Sequence, residues 1–166
     1  DKALYEVKMR GKNGCMAYRE GEQVKSRAKL GFAMKDIINN LPGAFIVYRA
    51  DKENDEILLA NSELLRLTGC KNMDELLAYT GKSFCNLIRP DEQESCQKSI
   101  WSQINGGHSN DYIFFHMRKA DGKYISVLDH GRIVDSVHNG RVFYVIIMDL
   151  KSLQRHFGDC LKLVEK

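Results

Sequence analysis

The stretch that decides the fold is Asp111–Asp149, which reads DYIFFHMRKADGKYISVLDHGRIVDSVHNGRVFYVIIMD. Two dipeptides within it, Asp121-Gly122 and Asn139-Gly140, are typical of tight turns between paired strands. They separate three segments that we predict as strands, residues 111–119, 124–134 and 141–149. Strands joined by such short turns pair antiparallel, so this stretch predicts three neighbouring antiparallel strands.

Two of these strands differ in their apolar pattern. Residues 111–119 place Ile113, Phe115 and Met117 on one face, as in a strand with one buried side. Residues 141–149 are almost entirely apolar, which is typical of a strand in the middle of a sheet. We therefore expect residues 141–149 to have a neighbouring strand along each edge.

Two further strands are predicted on the N-terminal side. Leu41-Pro42-Gly43 reads as the end of a helix followed by a turn. Residues 44–50 and 56–60 have strand composition, and the segment between them, 51–55, is too polar to be buried. The simplest fold is of the α+β class: a five-stranded antiparallel sheet, with residues 44–50 near its middle and helices packed on one face.

Two short helices are predicted directly after these strands. Asn61 occupies the N-cap position of a helix over residues 62–68, which Gly69 ends. Asn72 and Glu75 have the spacing of a capping box at the start of the second short helix.

A longer helix is predicted over residues 90–105, and residues 106–107, a glycine pair, end it. We interpret Asp91, like Asn61, as a helix cap rather than a catalytic group. The apolar stripe of this helix, at i, i+4 and i+8, comprises Cys96, Ile100 and Ile104.

The composition excludes several classes of protein. The 166 residues are 43% hydrophobic and 28% charged, as in a globular domain. The formal net charge of +3 is too small to predict nucleic-acid binding. The longest apolar run, Val142–Met148, is far shorter than the roughly 18 residues of a membrane span, so we predict no membrane contact. The chain starts at Asp1 without a signal-peptide pattern, which we interpret as a part of a longer cytoplasmic protein.

The five cysteines are odd in number and scattered along the chain. None has the spacing of a redox pair or of a zinc site with histidine, so we predict reduced thiols and no metal.

Five motifs in order make residues 34–150 resemble a PAS domain, a sensory module common in bacterial signalling proteins. The motifs are Leu-Pro-Gly-Ala-Phe at 41–45, Leu-Leu-Ala-Asn-Ser-Glu-Leu-Leu-Arg-Leu-Thr-Gly at 58–69, Leu-Ile-Arg-Pro-Asp-Glu at 87–92, Arg-Lys-Ala-Asp-Gly-Lys at 118–123 and Met-Asp-Leu at 148–150. The closing Asp-Ile-Thr of the family appears as Asp-Leu-Lys at 149–151.

The first residues carry a second resemblance. Residues 1–18, DKALYEVKMRGKNGCMAY, are similar to the end of a GGDEF domain, the catalytic module of diguanylate cyclases. Lys8 and Lys12 fall on one helix face, and the resemblance implies that they contact nucleotide phosphates in an intact parent. The GGDEF loop and its metal-binding acids are absent from this chain, so we predict no catalytic residue and no enzyme activity in it.

The resemblances divide the chain into four parts. We expect a GGDEF-like tail over 1–20, a linker helix over 21–41, the PAS domain over 42–150 and the start of an outgoing linker helix over 151–166.

The family positions and strand phase together predict an apolar cavity inside the PAS domain. The residues expected to line it are Ile46, Tyr48, Leu59, Ile100, Phe115, Met117, Val127, Val145 and Ile147. These side chains either hold an unidentified small ligand or simply fill the core. Tyr48 carries the one polar tip among them and needs a partner for it.

Flavin is disfavoured as a cofactor. Cys85 falls where the LOV subclass of PAS domains keeps its photoactive cysteine, but Phe84 replaces the asparagine before it. Met117, Val127 and Ile147 are apolar where LOV domains bind the flavin edge through polar amides. We interpret Cys85 as a buried packing thiol.

Haem is disfavoured because residues 91–105, on the long helix, contain no histidine to serve as axial ligand. We expect His108 in a loop, and His116 and His130 on outward strand faces. Trp101 is interpreted as a packing or dimer-surface residue.

Apolar stripes at both ends predict association. The incoming stripe comprises Leu30, Met34, Ile37 and Leu41, and the outgoing stripe comprises Leu150, Leu153, Phe157, Cys160 and Val164. Both have heptad spacing, so we expect a homodimer through the flanking helices.

We therefore expect a sensory or regulatory PAS domain of a GGDEF-containing, cyclic-di-GMP signalling protein. It would bind a small ligand or partner and relay the signal through its flanking helices to neighbouring domains of the same chain. Two alternatives stay open: a ligand-free dimerisation spacer, or a piece of a diguanylate cyclase with an enzymatic role only in the full-length protein.

Overall fold

The computed structural model describes residues 33–158. The chain divides into two compact units, residues 1–37 and 38–166, and the sheet with its covering helices belongs to the second. The described elements, in chain order, are α1 (Met34–Asn39), β1 (Ala44–Arg49), β2 (Ile57–Ala60), α2 (Ser62–Thr68), α3 (Met73–Thr80), a 3₁₀ turn (Cys85–Leu87), α4 (Gln93–Asn105), β3 (Asn110–Arg118), β4 (Tyr124–Ser136), β5 (Gly140–Asp149) and α5 (Leu150–Phe157).

The five strands form one antiparallel sheet in the order β2-β1-β5-β4-β3. The predicted α+β fold is therefore confirmed. The nearly all-apolar segment, β5, is the central strand, and β1 lies beside it. Gly122 and Gly140, one in each predicted turn, have φ angles of 79° and 68°, which glycine adopts without steric cost.

The two faces of the sheet differ in burial. The face towards the helices, called the inner face below, carries the core side chains of β1 and of the three C-terminal strands, including Ile46, Val127, Val145 and Ile147. The outer face carries exposed aromatic side chains such as Tyr112, Phe114 and Tyr144. Helix α4 packs on the inner face through the predicted stripe, whose three members are all buried.

Both short helices begin as predicted, and the first also ends as predicted. Asn61 caps α2, because its Oδ1 accepts from the Leu64 amide at 3.0 Å, and Gly69 ends the helix. Asn72 caps α3 through the Glu75 amide at 2.9 Å.

The start of the long helix is a correction. Helix α4 begins at Gln93, three residues later than predicted, and its N-cap, Glu92, makes no side-chain capping bond. Asp91 is not a cap: its Oδ1 pairs with Arg89 Nε at 2.7 Å in the preceding turn. The Asp91 carboxylate therefore accepts a hydrogen bond from the Arg89 side chain instead of capping the amides of the helix.

Several predictions fall outside residues 33–158. They are the GGDEF-like tail with Lys8 and Lys12, most of the incoming linker with Leu30, and the outgoing residues Cys160 and Val164. Helix α1 lies within the predicted incoming linker, and Leu41 follows it two residues beyond its end. No helix within residues 33–158 has the length and apolar composition that crossing a bilayer requires.

Candidate functional site

The candidate site is the inner face of the sheet beneath α4 and the 3₁₀ turn. Eight of the nine residues predicted to line a cavity are buried together there. They are Ile46, Tyr48, Ile100, Phe115, Met117, Val127, Val145 and Ile147. Their positions agree with the predicted strand phase, while their role in ligand binding stays a prediction.

Leu59, the ninth residue, is a correction. It is half-buried and lies opposite Val47, whereas the inner-face residue Ile46 lies opposite Ala60. The pairing of β1 with β2 is irregular between Val47 and Tyr48, so that Tyr48 pairs with Ile57. This β-bulge shifts the alternation of β2, and Ile57 contributes to the core while Leu59 faces the other way.

One end of the inner face is aromatic. The Tyr48 ring stacks on Phe84, with ring centroids 4.1 Å apart, and contacts Phe143 at 5.2 Å. Burial raises the pKa of the Tyr48 phenol well above its ordinary value, with nearby carboxylates adding to the shift. Trp101, predicted as a packing or dimer-surface residue, packs edge-on against Phe143 at 5.8 Å.

A small cavity of about 20 Å³ lies at this aromatic end, which is room for one water-sized molecule. Tyr48, Phe84, Cys85, Gln97, Ile100 and Trp101 are among its lining residues. Cys85, which we interpreted as a buried packing thiol, is half-buried and lines this cavity. Burial raises the pKa of the Cys85 thiol, so the thiol is not activated as a nucleophile.

Two carboxyl groups, Asp111 on β3 and Asp129 on β4, also lie on the inner face. Each residue is only 1% exposed. In the strand register Asp111 is opposite Gly131, and Asp129 lies between Ile113 of β3 and Ile147 of β5. The two aspartates are therefore diagonal neighbours on one face of the sheet, about 7–8 Å apart between backbones.

Three oxygens of this pair have no hydrogen-bond partner among the described protein groups: Oδ1 of Asp111 and both carboxyl oxygens of Asp129. Each unsatisfied buried group costs about 1–3 kcal/mol of folding free energy. Burial raises the pKa of Asp111 to about 6. Burial is the larger cause, and the nearby charge of Asp111 the smaller one, of a pKa of Asp129 that lies well above its ordinary value.

Gly131 makes room for one of these carboxyls. A Cβ atom added at Gly131 would collide with Oδ1 of Asp111 and would lie 3.3 Å from Cγ2 of Val145. The carboxyl of Asp111 thus extends across β4 towards the central strand. This direction brings it to the same part of the inner face as Asp129.

Sequence reasoning missed this aspartate pair. The signal was present in the strand phase: residues two positions from Val127 and from Ile113 share their inner face, and these residues are Asp129 and Asp111. The sequence analysis predicts an apolar cavity because it assigns only the apolar residues of these strands, and not the two aspartates, to the inner face.

The N-terminal end of α4 is attached to β3 by a charged junction. Glu92 accepts from the backbone amide of His116 at 2.7 Å, contacts the His116 ring nitrogen at 2.7 Å and pairs with Arg89 at 2.9 Å. Burial alone would raise the pKa of Glu92, but the hydrogen bonds of His116 and the charge of Arg89 lower it. His116 therefore points away from the core, as predicted, and connects helix α4 to the sheet.

The other two histidines that we considered as haem ligands, His108 and His130, also lie outside the core. His130 stacks on Tyr112 of the outer face, with ring centroids 4.2 Å apart, and His108 is exposed in the loop after α4. Within residues 33–158 no group of three or more histidine, cysteine, aspartate or glutamate side chains is placed to hold a metal ion.

The sheet order and the covered inner face define a single-sheet α+β module. The family model described as the PAS fold matches residues 57–148, more than half of the chain. This chain belongs to the PAS-fold family. The comparison with curated proteins found no match.

Solved structures share the fold at low sequence identity. A PAS domain from Desulfitobacterium hafniense aligns with a TM-score of 0.53 and 14% identity, over 67% of this chain and 95% of that one. The PAS domain, in complex with ethanol, of a LuxR-family transcriptional regulator from Burkholderia thailandensis aligns with a TM-score of 0.55 and 22% identity, over 72% and 99%. The LOV protein of Rhodobacter sphaeroides gives 0.55 and 19%, over 70% and 64%.

Proposed function

We propose that this PAS domain is a ligand-binding sensor whose ligand is held on the inner face of the sheet. The observation that carries the proposal is the pair of buried aspartates, Asp111 and Asp129, whose unpartnered oxygens lie among the apolar side chains of the inner face. A module that served only as a spacer would gain stability from apolar side chains at both positions. Uncompensated carboxyls in a core are typical of a functional site.

The relay would run through the helices that adjoin the sheet. Helix α5 begins at Leu150, directly after the central strand, and Asp149 caps it by accepting from the Lys151 amide at 2.9 Å. A ligand that shifts β5 therefore acts on the outgoing helix without an intervening loop. The Glu92–His116 junction couples α4 to β3 in the same way. Two packings of these elements would be the states between which the ligand selects.

The wider context is also part of the proposal. We place the domain in a cytoplasmic signalling protein, after a GGDEF domain whose end is represented by the tail with Lys8 and Lys12. The output would be cyclic-di-GMP synthesis by the parent protein, while this chain itself has no turnover. Its association would be a homodimer through the flanking helices. The B. thailandensis relative, whose PAS domain is in complex with ethanol, supports binding of a small molecule by the fold.

Native mass spectrometry of the chain purified from cells tests the sensor proposal. A sensor retains a small molecule, seen as a mass increment that disappears on denaturation. A ligand-free spacer shows only the mass of the polypeptide in both states. Assays of GTP turnover by the same preparation test whether the chain itself has cyclase activity, since an active cyclase fragment would exceed the buffer blank.

A further inference from the structure

We infer that Asp111 and Asp129 form the recognition site for the ammonium head of a small organic cation. The inference rests on the proposed sensor function and names the ligand class of that same inner face. It is carried by the burial of both side chains and by the three unpartnered oxygens that they present.

The unpartnered oxygens of the pair can accept hydrogen bonds from an ammonium group. A primary ammonium group has three N–H donors and no acceptor. The aspartate pair presents three unpartnered oxygens, one from Asp111 and two from Asp129. Asp111 extends over Gly131 towards the central strand, and Asp129 is its diagonal neighbour, so a single nitrogen between them can donate to both carboxyls.

No cationic side chain of the described protein, residues 33–158, is paired with either carboxyl. A neutral donor such as an alcohol would satisfy one oxygen and leave the buried negative charge uncompensated. An ammonium ion compensates the Asp111 carboxylate and the Asp129 carboxyl keeps its proton, so the occupied site is neutral and two of the three oxygens remain as acceptors for the ammonium.

The surroundings favour an organic cation over a metal ion. The side chains packed around the pair include Ile113, Val145 and Ile147, which offer no further oxygen ligands. Calcium and magnesium need about six oxygen ligands, more than two carboxyl groups supply without water. A short alkyl group on the nitrogen would instead pack against these apolar side chains.

The test titrates the chain with three probes of similar size and different charge: ethylammonium, ethanol and acetate. Binding is followed by amide chemical shifts in ¹H–¹⁵N NMR spectra, with Val145 and Ile147 as reporters at the site. Asp129→Asn keeps the shape of the side chain and removes its charge, and Asp111→Asn is the second variant. Asp135→Asn is the matched control, because Asp135 lies on the same strand with its side chain 92% exposed.

We expect ethylammonium to bind wild type and Asp135→Asn equally well. The Asp111→Asn and Asp129→Asn variants should bind it at least about tenfold more weakly, because each loses one charge-assisted hydrogen bond to the ammonium group. Equal binding of ethanol, or undiminished binding of ethylammonium by both inner-face variants, would overturn the cation assignment while leaving the sensor proposal in place. If none of the three probes shifts the reporters and native mass spectrometry finds no retained molecule, the sensor proposal fails together with this inference.

Discussion

Asn61 joins three parts of the fold through one buried amide. Its Oδ1 accepts from the amides of Leu64 in α2 and of Phe45 in β1, at 3.0 and 2.9 Å. Its Nδ2 donates to the carbonyls of Ile38 and Gly43, at 3.2 and 2.9 Å. The side chain is fully buried and its hydrogen bonds are satisfied, so its loss leaves several backbone groups unpaired.

We expect Asn61→Ala to lower the free energy of unfolding by about 3 kcal/mol, because it removes a cap and leaves buried backbone groups without partners. Asn72→Ala is the matched control. Asn72 caps α3 at an exposed position, so its loss should cost only about 1 kcal/mol. Urea unfolding of both variants measures the difference. Equal losses would show that the additional bonds of Asn61 contribute no stability.

Asp111 predicts an unusual pH dependence of stability. Its pKa is about 6 in the folded chain against an ordinary value of 3.8. Between these values the folded state holds a proton that the unfolded state releases, so the contribution of Asp111 to stability falls as pH rises through this window. The titratable groups facing it are Asp129 and the phenol of Tyr48.

The pH prediction is tested by Asp111→Asn, which resembles the protonated carboxyl at every pH. We expect the variant and wild type to be similarly stable at pH 4, and the variant to be more stable by up to about 3 kcal/mol at pH 7. Urea unfolding at both pH values gives the difference, and comparing the two proteins cancels the other carboxyls. A difference that does not grow with pH would contradict the shifted pKa. Asp135→Asn controls for the loss of one negative charge.

At the scale of elements, the pairing of β3 with β4 depends on one missing side chain. Gly131 lies opposite Asp111, and a Cβ atom there would overlap the aspartate carboxyl. We expect Gly131→Ala to destabilise the chain by about 1–3 kcal/mol through this overlap. The same substitution in an Asp111→Ala background should cost less, because the colliding oxygen is gone. Thermal unfolding of the four proteins of this double-mutant cycle measures the coupling, and additive effects would refute the contact.

Most elements could be predicted from local patterns because the physics that specifies them is local. The turns at Gly122 and Gly140 and the caps at Asn61 and Asn72 depend on residues within a few positions. The alternation of β3 likewise placed its core side chains correctly.

What could not be predicted depends on contacts between distant residues. The bulge opposite Tyr48 reverses the face of Leu59, and nothing in residues 56–60 reveals it. Asp91 pairs with a neighbouring arginine, although its position before a helix is typical of a cap. The aspartate pair was recoverable from strand phase, but its lack of partners is a property of the packed core.

At the scale of the whole molecule, the open question is association. Met34 and Ile37 lie on α1 with 64% and 47% of their surfaces exposed. With Leu30 and Leu41 they form the incoming apolar stripe, and exposed apolar surface of this kind is stabilised by a partner. The proposed homodimer pairs this stripe with its copy across a two-fold axis.

The last prediction concerns Met34→Glu combined with Ile37→Glu. We expect wild type to be dimeric at tens of micromolar by light scattering and the double variant to have half that mass, because four buried carboxylates in the paired stripe would repel each other. The melting temperature of the sheet domain should change little, since neither residue belongs to its core.

Lys35→Glu is the control: it lies on the same helix, is exposed and changes the net charge by the same two units. If the control dissociates the dimer equally, the contact is electrostatic and the stripe is not the interface. A monomeric wild type would refute the dimer.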